Sequence, residues 1–123
     1  VIASYAAKWP DFSFEEIGFA RQAALYDQIG GAVIDSYDIR QNPEGALRKL
    51  CAAIGLPFDP AMLSWQEGPR PYDGVWAAHW YGAVHRSKGF AGAEGPLPEL
   101  NGRYAELLRA AMPAYEKLAR NKI

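Results

Sequence analysis

Only one stretch of this chain, Ala32-Val33-Ile34, reads as a β-strand. It is a short apolar, β-branched run bounded by Gly30-Gly31 and by Asp35-Ser36, so a strand over 32–36, buried on both faces, is expected. A buried strand must pair its backbone donors and acceptors with neighbours. No second run of this kind occurs in the 123 residues. With the helical patterns on either side, the order is helix, strand, helix, which is one unit of a parallel α/β sheet. The partner strands are therefore expected before Val1. The opening Val1-Ile2-Ala3-Ser4-Tyr5 has no Met and reads as a cut inside a longer protein. The expected fold class is α/β, with residues 1–123 as its mostly α-helical C-terminal part, in a single domain.

The helices are marked by periodicity and caps. Val1 to Lys8 reads as a helix end, stopped by Pro10. Ser13 with Glu16 makes a capping-box pattern, which predicts a helix over 14–29 with Ile17, Ala20, Ala24, Leu25 and Ile29 on its apolar stripe. Asn42 as cap and Pro43 in the first turn open a helix over 43–54, where Leu47, Leu50, Cys51 and Ile54 recur at i, i+3, i+4 and i+7. Gly55 closes it. Asp59-Pro60 starts a short helix through Met62, Leu63 and Trp65. Loops follow over 66–74 and 89–98, where Gly and Pro cluster. Between them Asp73 is expected to cap a helix over 75–86. The last helix is placed at 99–120, with Leu100, Tyr104, Leu107, Leu108, Ala111, Tyr115 and Leu118 inward and a kink at Pro113.

Charge narrows the partners. Thirteen basic against fourteen acidic residues give a net charge of −1, which is no polyanion-binding surface, so nucleic acid is not the expected partner. No apolar run approaches the roughly 20 residues that span a bilayer, so no membrane segment is expected. The single cysteine, Cys51, forms no internal disulfide and no CxxC metal site, and fits a reducing, cytoplasmic setting.

Few residues carry obvious chemistry. His79 and His85 are six apart, about 120° round a helix, and do not converge; no Cys, Asp or Glu stands beside them at ligand spacing, so no metal is expected. His79 and Arg86, seven apart, share a helix face and make a small anion-facing edge. Trp76 and Trp80 lie one turn apart and serve either as core packing or as a cleft wall. Arg86 and Lys88 beside Gly89 serve either as helix C-terminal cations or as an anion grip.

From Val33 to Phe58 the chain reads Val33-Ile34-Asp35-Ser36-Tyr37-Asp38-Ile39, then Asn42-Pro43-Glu44, Leu47, Leu50 and Gly55-Leu56-Pro57-Phe58. This resembles the late strand–helix unit of the P-loop sulfotransferases, with Ser36 and Tyr37 standing where that family usually has Tyr and Glu. Phe58-Asp59-Pro60-Ala61-Met62-Leu63-Ser64-Trp65, Asp73-Gly74-Val75-Trp76 and His79-Trp80-Tyr81 look closer to a bacterial sulfotransferase-like subgroup.

The resemblance implies a P-loop three-layer α/β domain whose P-loop half is absent from this chain. It implies 3′-phosphoadenosine 5′-phosphosulfate as sulfuryl donor and a small-molecule acceptor. It makes Ser4 the match of the family's phosphate-binding serine. It also makes Arg86-Ser87-Lys88-Gly89 similar to the family's Arg-Lys-Gly phosphate loop, with Ser87 separating the basic pair. Trp65, Trp76, His79 and Trp80 would then line the acceptor side. No residue matches the family's catalytic base, so the chain alone is expected to transfer little and to associate with the P-loop segment or with itself. The alternative is a non-catalytic helical binding or scaffolding module.

Overall fold

The structure is a computed structural model that describes all residues, 1–123. It is mostly helical: α1 Ile2–Ala6, α2 Phe19–Ile29, α3 Ser36–Gln41, α4 Pro43–Ile54, a 3-10 turn Pro60–Leu63, α5 Ala77–Trp80, α6 Gly82–His85 and α7 Gly102–Ala119. The chain divides into two compact units, Val1–Asp35 with Gly95–Ile123, and Ser36–Glu94.

In the first unit, α1 and α2 pack on α7. Its core centres on Phe12, which is 0% exposed. Tyr5 meets the Phe12 ring edge-on at 4.9 Å between centroids, and Tyr104 of α7 stacks on it at 6.0 Å. Arg103 fastens the same corner: its guanidinium lies 5.8 Å from the Phe12 ring centroid and donates to the carbonyls of Phe12 and Pro10. Tyr104 Oη also donates to Pro10. Further along α7, Lys117 pairs with Asp27 and Tyr115 Oη donates to Asp35 at 2.7 Å.

The predicted capping box forms, but not at a helix. Ser13 N–H donates to Glu16 Oε2 at 2.6 Å and Glu16 N–H donates to Ser13 Oγ at 3.3 Å. They close a turn, and α2 begins only at Phe19, because Gly18 takes φ 74. A left-handed residue cannot continue a right-handed helix. Gly102, at φ 52, likewise holds back the start of α7, which was expected at 99. The α2 stripe is also rotated: Ala23 is buried, whereas Leu25 and Ile29 are exposed, Ile29 by 73%. On α7 Ala111 and Leu118 are buried as expected, but Leu108 and Tyr115 face outward.

The expected strand over 32–36 is reduced to one parallel bridge, Val33 to Lys122, with Ile123 N–H donating to the Val33 carbonyl at 3.1 Å. From Ser36 onward the chain is already helical, as α3. Gly30 and Gly31, both at positive φ, and α3 leave room for only a few extended residues between them.

In the second unit, α4 keeps the cap, the first turn and the end that its sequence signals predict. Asn42 Oδ1 accepts from Gly45 N–H at 3.0 Å, Pro43 sits in the first turn, and Gly55 ends the helix in the left-handed region. Ala46, Leu47 and Cys51 are buried, while Ile54 is exposed. Cys51 Sγ lies 4.0 Å from Met62 Sδ, which seats the 3-10 turn on α4. That turn stops at Leu63 and does not reach Trp65 as expected. Replacing Asn42 by Ala removes the cap acceptor. A loss of about 1 kcal/mol is expected in chemical denaturation, with no change in the slope against denaturant.

The predicted helix over 75–86 is instead two single turns, α5 and α6, separated at Tyr81 (φ −94, ψ 9). Asp73 does not cap it. Its carboxylate accepts from Arg70 N–H and faces His85 instead. The break at Tyr81 also removes the shared helix face expected for His79 and Arg86.

Candidate functional site

The second unit brings the irregular segment 64–73 beside the end of α6 and the loop 86–89, and the join is made bond by bond. Ser64 and Gly89 form an antiparallel bridge, and Trp65 N–H donates to the Lys88 carbonyl at 3.1 Å. Gly68 N–H donates to the His85 carbonyl at 2.8 Å. Trp65 Nε1 donates to Ser87 Oγ at 2.9 Å, and Ser87 Oγ donates in turn to the Val84 carbonyl at 2.6 Å. The hydroxyl that separates the two cations in sequence is thus used to hold the loop. Gly89 permits the approach: a Cβ there would lie 3.1 Å from the Leu63 carbonyl oxygen.

On this scaffold both loop cations are exposed; the Lys88 side chain is 75% exposed, with its Nζ 3.4 Å from Glu67 Oε2. Arg86 folds back along α6, where a Cβ at Gly82 would meet its guanidinium at 3.5 Å. The indole of Trp65 is half-buried and meets the Phe90 ring edge-on at 5.4 Å. Beneath the loop, His85 Nε2 lies 2.8 Å from Asp73 Oδ2, an oxygen that also accepts Arg70 N–H at 2.8 Å. The Asp73 carboxyl is held below the usual carboxylate value, chiefly by the Arg70 N–H and then by the His85 hydrogen bond and charge, with partial burial opposing.

Loop 86–89 offers an ammonium, a guanidinium and a glycine at a constrained turn. Groups of these types are suited to holding a phosphate by charge-assisted hydrogen bonds. A family model described as a sulfotransferase domain matches residues 1–121. The chain belongs to the sulfotransferase domain family.

Two curated relatives from Arabidopsis thaliana are similar to this sulfotransferase-family chain. They are branched-chain-amino-acid aminotransferase-like protein 2, 35% identical over 111 residues, and branched-chain-amino-acid aminotransferase-like protein 1, 38% identical over 111 residues. Each match covers 86% of the chain and 20% of the relative, so the chain spans about a fifth of their length. No solved structure matches it.

Of the residues singled out in the sequence, Arg86, Lys88 and Gly89 lie in this one loop. Ser4 is exposed on α1, in the other unit. Trp76 is exposed and lies across Gly74, where a Cβ would meet its ring at 2.5 Å. His79 and Trp80 meet edge-to-face at 4.9 Å on α5. No group of three or more His, Cys, Asp or Glu side chains comes together, and no helix is long and apolar enough to cross a membrane.

Sequence reasoning missed Glu67, Arg70, Asp73 and Ser87 as members of the site. One signal was available for Asp73: it is the only acidic residue between Gly68 and Gly89.

Proposed function

We propose that this chain is the C-terminal, donor-gripping part of an enzyme that moves a sulfuryl group from 3′-phosphoadenosine 5′-phosphosulfate to a small-molecule acceptor. One observation carries the reading: Lys88 is presented, exposed, on a loop that Trp65, Ser87 and Gly89 fix in place, within a chain of the sulfotransferase domain family. Lys88, Arg86 and the backbone at Gly89 hold the donor's 3′-phosphate. For Ser4, in the first unit, a phosphate-binding role rests on the family resemblance alone. Trp65, Trp76, His79 and Trp80 form the acceptor side. Sulfuryl transfer, like phosphoryl transfer, depends on positioning and on stabilising dispersed negative charge, so a fixed grip on the donor's far end contributes directly.

The P-loop and the catalytic base are assigned to a separate segment of the same α/β domain, in the cytoplasm. The single bridge at Val33 and the exposed Leu25 and Ile29 support such a covering segment, or self-association in its place. The relatives' names speak of branched-chain amino acids. They describe proteins of which this match is a fifth, and the sulfuryl-transfer reading rests on the matched stretch.

The test is calorimetric titration of the full chain. Adenosine 3′,5′-bisphosphate should bind more tightly than adenosine 5′-phosphate, and equal binding would remove the 3′-phosphate role. In the same titration, Glu67→Gln frees Lys88 from its carboxylate partner. It should tighten the bisphosphate by roughly two- to fivefold, the size of a lost exposed ion pair. A weaker bisphosphate would mean that Glu67 supports the loop.

A further inference from the structure

Next to the loop lies a His–Asp pair that the phosphate grip does not itself use. His85 is the last residue of α6 and immediately precedes loop 86–89. It is tied twice to segment 68–73: its carbonyl accepts Gly68 N–H and its Nε2 faces Asp73 Oδ2, each at 2.8 Å. The side chains are 23% and 17% exposed, so the pair is partly screened from water.

We infer that Asp73 and His85 form a clasp that positions loop 86–89 to hold a phosphate. This rests on the nucleotide reading above. Asp73 is already doubly engaged, because the oxygen facing His85 also takes Arg70 N–H. The groups around the pair are Arg70, whose guanidinium donates to the Gln66 carbonyl, the Tyr81 ring edge-on at 6.0 Å, Arg86 next along the chain, and the Lys88–Glu67 pair. Asp73 has its carboxyl depressed from 3.8. Its contribution is therefore present above the ordinary carboxylate value and is lost only as pH falls through the lower folded value, leaving it an anion from pH 6 to 8.

One clasp contact is made by the His85 side chain and the other by its carbonyl, so loss of either partner of the pair should loosen the turn into loop 86–89 and weaken its hold on a phosphate.

The experiment titrates adenosine 3′,5′-bisphosphate and adenosine 5′-phosphate into the full chain, His85→Ala and Asp73→Asn. It also follows hydrogen exchange of the Gly68 amide. Each variant should bind the bisphosphate roughly two- to fivefold more weakly than the parent, with the 5′-phosphate nearly unchanged. Asp73→Asn should also exchange its Gly68 amide faster, because that amide reports on the clasp. A general loss of structure would weaken both ligands alike. Equal losses for the two ligands, no loss of the bisphosphate, or a Gly68 amide unmoved in Asp73→Asn, overturns the clasp alone. A parent chain that binds no bisphosphate overturns the nucleotide reading and this inference with it.

Discussion

Phe12→Ala should lower the melting temperature of the chain by about 10–30 °C. Phe12 is the one large side chain with no exposure, and it is held between Tyr5 and Tyr104 with Arg103 across its ring. Truncation removes its buried area and leaves a cavity that two aromatic rings, anchored by their own contacts, fill poorly. Core Phe→Ala changes cost about 3–5 kcal/mol, and a chain of this length loses roughly 3–6 °C per kcal/mol. Val75, 95% exposed, is the control: Val75→Ala should change stability by less than about 0.5 kcal/mol. Calorimetric scans of both variants decide the matter. Equal shifts would mean that the α1–α7 corner is not the core of its unit.

What was legible in the sequence was local. Helix α4 needs only Asn42, Pro43, an apolar stripe and Gly55, all within fourteen residues, and its boundaries emerge as expected. Where the sequence misled, a local signal met a competing partner. Ser13 and Glu16 made their reciprocal bonds, yet Gly18 turned left-handed and ended the turn. Asp73 stood in a cap position, but Arg70 N–H and His85 took its carboxylate, and the helix expected after it broke into two turns. The strand expected over 32–36 comes down to the one bridge at Val33, with Ala32, Val33 and Ile34 half-buried rather than buried.

The candidate site divides in the same way. Arg86, Lys88 and Gly89 were visible because they are contiguous. Their fixing was not, because it depends on Trp65 reaching Ser87 and on Ser64 pairing with Gly89, contacts that join residues over twenty positions apart. Glu67 was missed for the same reason, being paired with Lys88 across that join. Periodicity carries no information about such pairings.

The second large effect belongs to Lys88. Its side chain is exposed and its partner, Glu67 at 3.4 Å, is itself half-exposed. Exchanging that carboxylate for a phosphate is therefore inexpensive, and an exposed loop lysine contributes little to folding. Lys88→Ala should leave the melting temperature nearly unchanged. It should weaken adenosine 3′,5′-bisphosphate by about 1.5–3 kcal/mol, the range for a hydrogen bond to a charged group, or roughly 10- to 150-fold.

The most direct measurement is calorimetric titration of adenosine 3′,5′-bisphosphate and adenosine 5′-phosphate into the full chain and into Lys88→Ala. If loop 86–89 grips the 3′-phosphate, the bisphosphate loses affinity by at least tenfold while the 5′-phosphate binds the two proteins almost equally. Equal losses for the two ligands would mean that Lys88 acts through structure or long-range charge, and no loss for either would remove it from the site. Both results contradict the donor-gripping role.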